Sequence, residues 1–277
     1  MQTVKCVFSI AFQNFRKWRT DSRIWLIAAV QLTMVLHALD KNIRVYVDLD
    51  TTPMTAWAFV ALRSYNFQKM LLNTPLILLF CNAPFTDRNQ TFVYLRSGRL
   101  KWLCGQILYI IMASGIFFLT MFLESVLFAG HGAKFTLDWD EAALAVPGIK
   151  VLSTYFTPLS AVGFTLLFSW LSGIFIGLLM FFCNYMTGSK PFGAFVSSFF
   201  VMFGIIASYS EDHNVVMNSL VRFSPLSWMQ LNSIAIGKER FRPSFAYVMC
   251  VYSGLIVLLT AAILIFGRRK SLDIRED

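Results

Sequence analysis

Hydrophobic and polar positions in this chain fall into long blocks, with apolar runs of helix length separated by short polar segments. The runs cover residues 24–39, 57–82, 102–130, 158–185, 191–209 and 244–266. An apolar helix needs about 17–25 residues to cross a bilayer, whereas the strands of a closed barrel would alternate in polarity over about ten. Block patterning without alternation therefore predicts an all-α polytopic membrane protein with six transmembrane helices, forming one transmembrane domain over residues 1–277. The first run is short for a span, which predicts a helix that continues past Asp40 or a local compression of the span. The second carries Arg63, Asn66, Gln68, Lys69 and Asn73. A later start for that span, after a membrane-parallel segment over residues 55–68, would account for Lys69, which has no acid at matching depth.

Two polar segments interrupt the blocks in an informative way. Residues 1–23 place Phe8, Ile10, Phe12, Phe15 and Trp18 beside Arg16, Lys17 and Arg19. That mixture is too polar for a span and suits an amphipathic helix lying at the membrane interface. Its basic cluster follows the apolar part, the reverse of a signal-peptide layout. The second segment, over residues 83–101, is a polar island between two spans. Asp87 is placed to cap a helix with Gln90 three positions on, Gly98 to close it, and Phe92 and Leu95 lie one turn apart. A short helix outside the membrane with an apolar edge is a docking element in form.

Composition agrees with lipid as the solvent, since 57% of the residues are hydrophobic, 14% are charged and mean hydropathy is +0.61. The net charge of +9 does not point to nucleic acid here, because the basic residues follow the membrane. With the N-terminus inside, fourteen of the 24 Lys and Arg residues lie on the inner side. They are Lys5, Arg16, Lys17, Arg19 and Arg23, then Arg88, Arg96, Arg99 and Lys101, then Lys190, and finally Arg268, Arg269, Lys270 and Arg275. Acidic residues lean the other way, in Asp40, Asp48, Asp50, Asp138, Asp140 and Glu141. Both termini are therefore expected in the cytoplasm, with residues 210–243 forming an outer segment.

Charged residues within spans cost about 2.5–3.5 kcal/mol on insertion scales and call for a partner or a wet cavity. Arg63 and Glu124 are expected at similar depth. They are read, with Asn73, as candidates for a polar patch on a translocation route, the alternatives being a structural ion pair or two side chains snorkelling outward. Gly173 and Gly177 form a GxxxG in the fourth span, and Gly193 opens the fifth, so these two spans are candidates for close helix packing within or between subunits. In the outer segment, residues 223–232 resemble a short helix with Pro225 in its first turn and with Trp228 and Met229 at interface depth. It is expected to dip into the outer leaflet or cover the mouth of a pathway.

The remaining chemistry is a set of absences. No GxxxxGK[ST] phosphate loop, GxSxG elbow, HExxH helix or paired carboxylate motif occurs in the sequence, so no catalytic residues are expected and no nucleotide hydrolysis by this chain. His37, His131 and His213 are scattered, Cys6, Cys81, Cys104, Cys183 and Cys250 show no CxxC pair, and neither a metal site nor a disulfide framework is expected. The 28 Phe residues are read as packing and lipid-facing surface rather than as a cofactor box.

The amphipathic N-terminal segment, the docking element between spans two and three, the six spans and the Pro-containing outer helix together resemble the membrane subunit of a type-2 ABC exporter. Residues 87–106, with the Arg96-Ser97-Gly98-Arg99 turn, are most similar to the small permeases of bacterial peptide-exporting and bacteriocin-immunity ABC systems. That resemblance implies a multi-pass subunit of a bacterial cell membrane, paired with a second, identical or related permease subunit. Cytoplasmic ABC ATPase subunits would bind ATP and magnesium, with no cofactor held by this chain and no nucleotide-binding domain within it. The coupling helix would dock on the ATPase through Phe85, Asp87, Phe92, Leu95, Arg96 and Arg99, and a peptide, lipid or hydrophobic drug would be the cargo. Two other readings compete. An ATP-independent secondary transporter or channel would carry related halves and broken helices, and no internal repeat is evident; a non-transporting membrane scaffold would use the same exposed helix as an adaptor site.

Overall fold

The computed structural model describes residues 2–48, 59–60, 66–85, 88–128, 138–145, 149–209, 219–235 and 242–269. In chain order the helices are α1 (Gln2–Arg16), α2 (Ser22–Asp48), α3 (Asn66–Phe80), α4 (Arg88–Ser97), α5 (Arg99–Phe128), α6 (Glu141–Ala145), α7 (Ile149–Leu152), α8 (Pro158–Thr187), α9 (Lys190–Tyr209) and α10 (Phe245–Arg269). Among the described residues the only β pairing is an isolated bridge between Ala235 and Ser244.

Among the described residues four helices, α5, α8, α9 and α10, are long and apolar enough to cross a membrane. At 1.5 Å per residue the 30 residues of α5 extend about 45 Å, beyond the roughly 30 Å of hydrocarbon. Of the other two expected spans, α2 holds a shorter apolar stretch, Ser22–His37. The second expected span is described at Phe59 and Val60 and again from Asn66 onward. α2 does continue past Asp40, and its polar extension carries an ion pair one turn apart, Asp40 to Arg44 at 2.9 Å. The side chain of Lys69 lies outside the described residues.

α8 is the central helix. In its apolar window 67% of the residues are buried, against 22% for α10, and it packs against α3, α5, α9 and α10. Thr157 caps its first turn and Pro158 opens it, while Gly188, at φ +71°, closes it. The GxxxG pair lies within the chain and faces α5 and α3 rather than α9. Gly173 meets Ser114 and Phe118 of α5, and a Cβ on Gly177 would lie 2.5 Å from Ile110 Cγ2 and 3.1 Å from Phe80 Cδ2. Without side chains at those two positions the helix axes can approach, and Trp170 Nε1 then donates across the seam to the Ile111 carbonyl at 2.8 Å.

The segment before α10 departs from the expected interfacial helix. It forms three consecutive 3₁₀ turns, Ser219–Phe223, Pro225–Met229 and Leu231–Ser233, wedged against α8, α9 and α10. Pro225 does open the second turn, but Trp228 is only 1% exposed and Met229 is fully buried. Several of its polar groups find partners there, within the segment and on α9 and α10. Trp228 Nε1 donates to the Val221 carbonyl at 2.7 Å, Ser227 Oγ lies 2.8 Å from Ser224 Oγ and donates to the Gly204 carbonyl at 3.1 Å, and Tyr252 Oη donates to the Pro225 carbonyl at 2.5 Å. A segment whose polar atoms are paired this way can be buried instead of floating at an interface.

A candidate docking element and its anchor

The two expected polar segments, α1 and α4, both pack on α5. α1 buries Ile10, Ala11 and Asn14 on α5, with Ile10 against Gly105, and leaves Val4, Phe8 and Phe12 exposed. It is too short to cross a membrane at 15 residues and lies along the bundle with one face covered.

α4 packs on α5, with Val93 turned toward the core. Its opposite edge carries Phe92 and Leu95, 73% and 74% exposed, with Arg96 exposed beside them. The helix ends where expected, at Gly98 with φ +82°, a conformation that L side chains rarely adopt. The Ser97 hydroxyl donates back to the Val93 carbonyl at 2.6 Å, and Trp102 N–H donates to the Gly98 carbonyl at 3.2 Å as α5 begins. Asp87, the expected N-cap, lies outside the described residues.

Two residues expected on this docking edge point elsewhere. Phe85 is half-buried and packs edge-on against Tyr109 of α5, ring centroids 4.7 Å apart. Arg99 turns away from α4, its guanidinium donating to the Arg268 carbonyl at 2.6 Å at the end of α10. A helix C-terminus leaves carbonyls without intrahelical partners, and an arginine is a natural donor to them. The exposed edge is therefore Phe92, Leu95 and Arg96.

Below α4, the loop from Cys81 to Phe85 is held from two sides, and neither grip was anticipated from sequence. On the α1 side, Gln106 Oε1 accepts from Asn14 Nδ2 at 3.2 Å and from the Phe85 N–H at 3.4 Å. Lys17 Nζ donates to the Phe85 carbonyl at 3.2 Å. Trp18 Nε1 donates to Tyr109 Oη at 2.8 Å, and Phe15 packs on both rings. On the α8 side, Asn184 Nδ2 donates to the carbonyls of Cys81 at 3.2 Å and Ala83 at 2.8 Å, and Asn184 Oδ1 accepts from the Gly193 N–H at 2.6 Å. The signal that could have found this grip is an amide stranded in an apolar run, Gln106 and Asn184 above all, since a polar side chain there must find a partner on another helix.

Of the expected pathway residues, Glu124 and Asn73 lie among the described residues. Glu124 lies on α5 beside α2, where Gln31 Nε2 is 3.3 Å from Glu124 Oε2 and 3.0 Å from Thr120 Oγ1. Asn73 is buried on α3. Arg63, the expected counter-ion of Glu124, lies outside the described residues. Gly193 does bring α9 against α8, because a Cβ there would lie 2.4 Å from Asn184 Oδ1 and 2.7 Å from the Met180 carbonyl. Among the described residues no group of three or more His, Cys, Asp or Glu side chains could hold a metal ion, and all five cysteines are free thiols.

The fold and the site together define a helical membrane protein with a partly uncovered polar helix at one end. The chain matches no family model, no curated protein and no solved structure in the comparisons made with each.

Proposed function

We propose that this chain is the membrane-spanning permease subunit of an ABC-2 type exporter. In this reading it spans the membrane six times, has both termini in the cytoplasm of a bacterial cell, and works with a second permease subunit and separate ATPase subunits. The observation that carries the reading is α4. It is a polar helix outside the apolar spans that packs on α5, yet it turns Phe92 and Leu95 outward next to Arg96, while the preceding loop, residues 81–85, is held by Lys17, α5 and α8. Exposed apolar side chains on a firmly mounted helix suit contact with a protein that pushes, because a loosely tethered helix would absorb the displacement. The apolar pair would supply anchoring and Arg96 orientation.

The test is affinity purification of the tagged chain from its native host in mild detergent, with mass spectrometry of accompanying proteins. Recovery of a soluble ATPase in comparable amount, lost from the Phe92→Ala/Leu95→Ala double variant, is the expected result. A chain that repeatedly purifies without an ATPase would move the reading to an ATP-independent carrier or a scaffold. Arg96→Glu alone is the charge test to use, since reversing Arg99 would also break its bond to α10.

A further inference from the structure

The loop beneath α4 and the hairpin formed by α8 and α9 share one buried side chain. Asn184 sits near the end of α8 and is 3% exposed. Both sides of its amide are committed, through Nδ2 to the carbonyls of Cys81 and Ala83 and through Oδ1 to the N–H of Gly193, while its own carbonyl accepts from Gly188 N–H at 2.9 Å. The first N–H groups of a helix have no partner within it, and Gly193 N–H, in the first turn of α9, finds its partner in Asn184. Separating the loop from the hairpin would strand the carbonyls of Cys81 and Ala83 and the amide Nδ2 of Asn184, at a cost of about 1–3 kcal/mol for each group left buried. Under a modest load the two elements therefore move together.

α9 carries that motion further. It runs unbroken from Lys190 to Tyr209, and the carbonyl of Gly204 accepts from Ser227 Oγ in the buried 3₁₀ turns at the opposite end. From Gly193 to Gly204 is about 16 Å of helix. We propose that Asn184 is a positioning residue that couples the loop beneath α4 to α9 and, through α9, to the 3₁₀ turns at the far end. The proposal rests on the docking reading of α4, in that it takes the load to come from an ATPase seated there.

The experiment uses the complex of the full chain with its co-purified ATPase, the five native cysteines replaced by alanine and a single reporter thiol introduced. Phe223→Cys reports the far end, since Phe223 is 69% exposed in the first 3₁₀ turn, and co-purification of the ATPase reports docking. With Asn184 intact, ATP is expected to change the maleimide labelling rate of Phe223→Cys about fivefold or more, the lower range of ordinary coupling between sites. With Asn184→Ala that change should vanish while the ATPase stays bound in the same amount, a split that general loss of folding would not produce. Gly193→Ala approaches the junction from α9, because its Cβ must displace Asn184 Oδ1, and it should show the same split even where Asn184→Ala does not fold. Retention of the ATP response in either variant would overturn the coupling, as would its absence when Asn184 is intact and the ATPase is bound. Failure of any ATPase to accompany the unaltered chain would instead remove the docking reading and the coupling with it.

Discussion

The two ends of the bundle are built by different means. At the α4 end the polar bonds join residues far apart in the chain, Asn14 to Gln106 across 92 positions and Asn184 to Ala83 across 101. At the far end short-range bonds, Trp228 to Val221 across 7 positions and Ser227 to Ser224 across 3, are joined by longer ones to α9 and α10, Ser227 to Gly204 across 23 and Tyr252 to Pro225 across 27. The far end is thus a wedge of 3₁₀ turns with internal bonds of its own, tied to the helices around it. At the α4 end a five-residue loop is held by Gln106 of α5, Asn184 of α8 and Lys17 just past α1, with Asn14 of α1 bonded in turn to Gln106 and Gly193 of α9 to Asn184. The wedge carries part of its bonding within itself, whereas the loop is gripped by side chains from distant parts of the chain.

That contrast can be broken from either side. The largest effect is expected for Trp228→Ala, which empties the centre of the wedge and removes the bond to the Val221 carbonyl; a loss of about 3–5 kcal/mol should appear as a lower unfolding midpoint in detergent. Asn184→Ala removes two bonds to the loop and one to α9 and should cost about 2–4 kcal/mol by the same measurement, with a selective loss of ATP response that Trp228→Ala at equal destabilisation need not share. Gly173→Ala forces a methyl against Phe118 and Ser114 of α5 and should cost about 1–3 kcal/mol away from both ends, which makes it the control for simple destabilisation. The smallest effect on stability, within about 0.5 kcal/mol, is expected for Phe92→Ala with Leu95→Ala, because neither side chain is covered by the chain. A larger destabilisation by that pair would mean that α4 is held by Phe92 and Leu95, and that they are not free to meet a partner.

Much of the helical layout was legible because it depends on local information. Apolar blocks marked α5, α8, α9 and α10, and Gly98 marked the end of α4. The limits of that legibility follow from the same physics. Phe85 and Arg99 look like docking residues in a linear reading, yet Phe85 finds an aromatic partner in Tyr109 and Arg99 finds the carbonyls ending α10. Both partners are set by tertiary placement. The 3₁₀ turns were read as an interfacial helix because Trp and Met suit an interface, and only the pairing of Ser224, Ser227 and Trp228 makes burial favourable. The GxxxG of Gly173 and Gly177 announced close packing but not its partner, which proved to be α5 and α3. Asn184 and Gln106 were visible as amides in apolar runs, while their shared grip on one loop was not.

The most direct measurement of the central claim is site-specific photo-crosslinking from Leu95 in cells of the native host. Leu95 is the residue of α4 that the chain covers least among those of its apolar edge. The account predicts a discrete protein adduct, identified by mass spectrometry as a nucleotide-binding ATPase, that is absent when the same photoreactive group replaces Phe223 at the far end. Adducts to lipid alone at Leu95 would contradict it and make α4 an interfacial helix with no docking role.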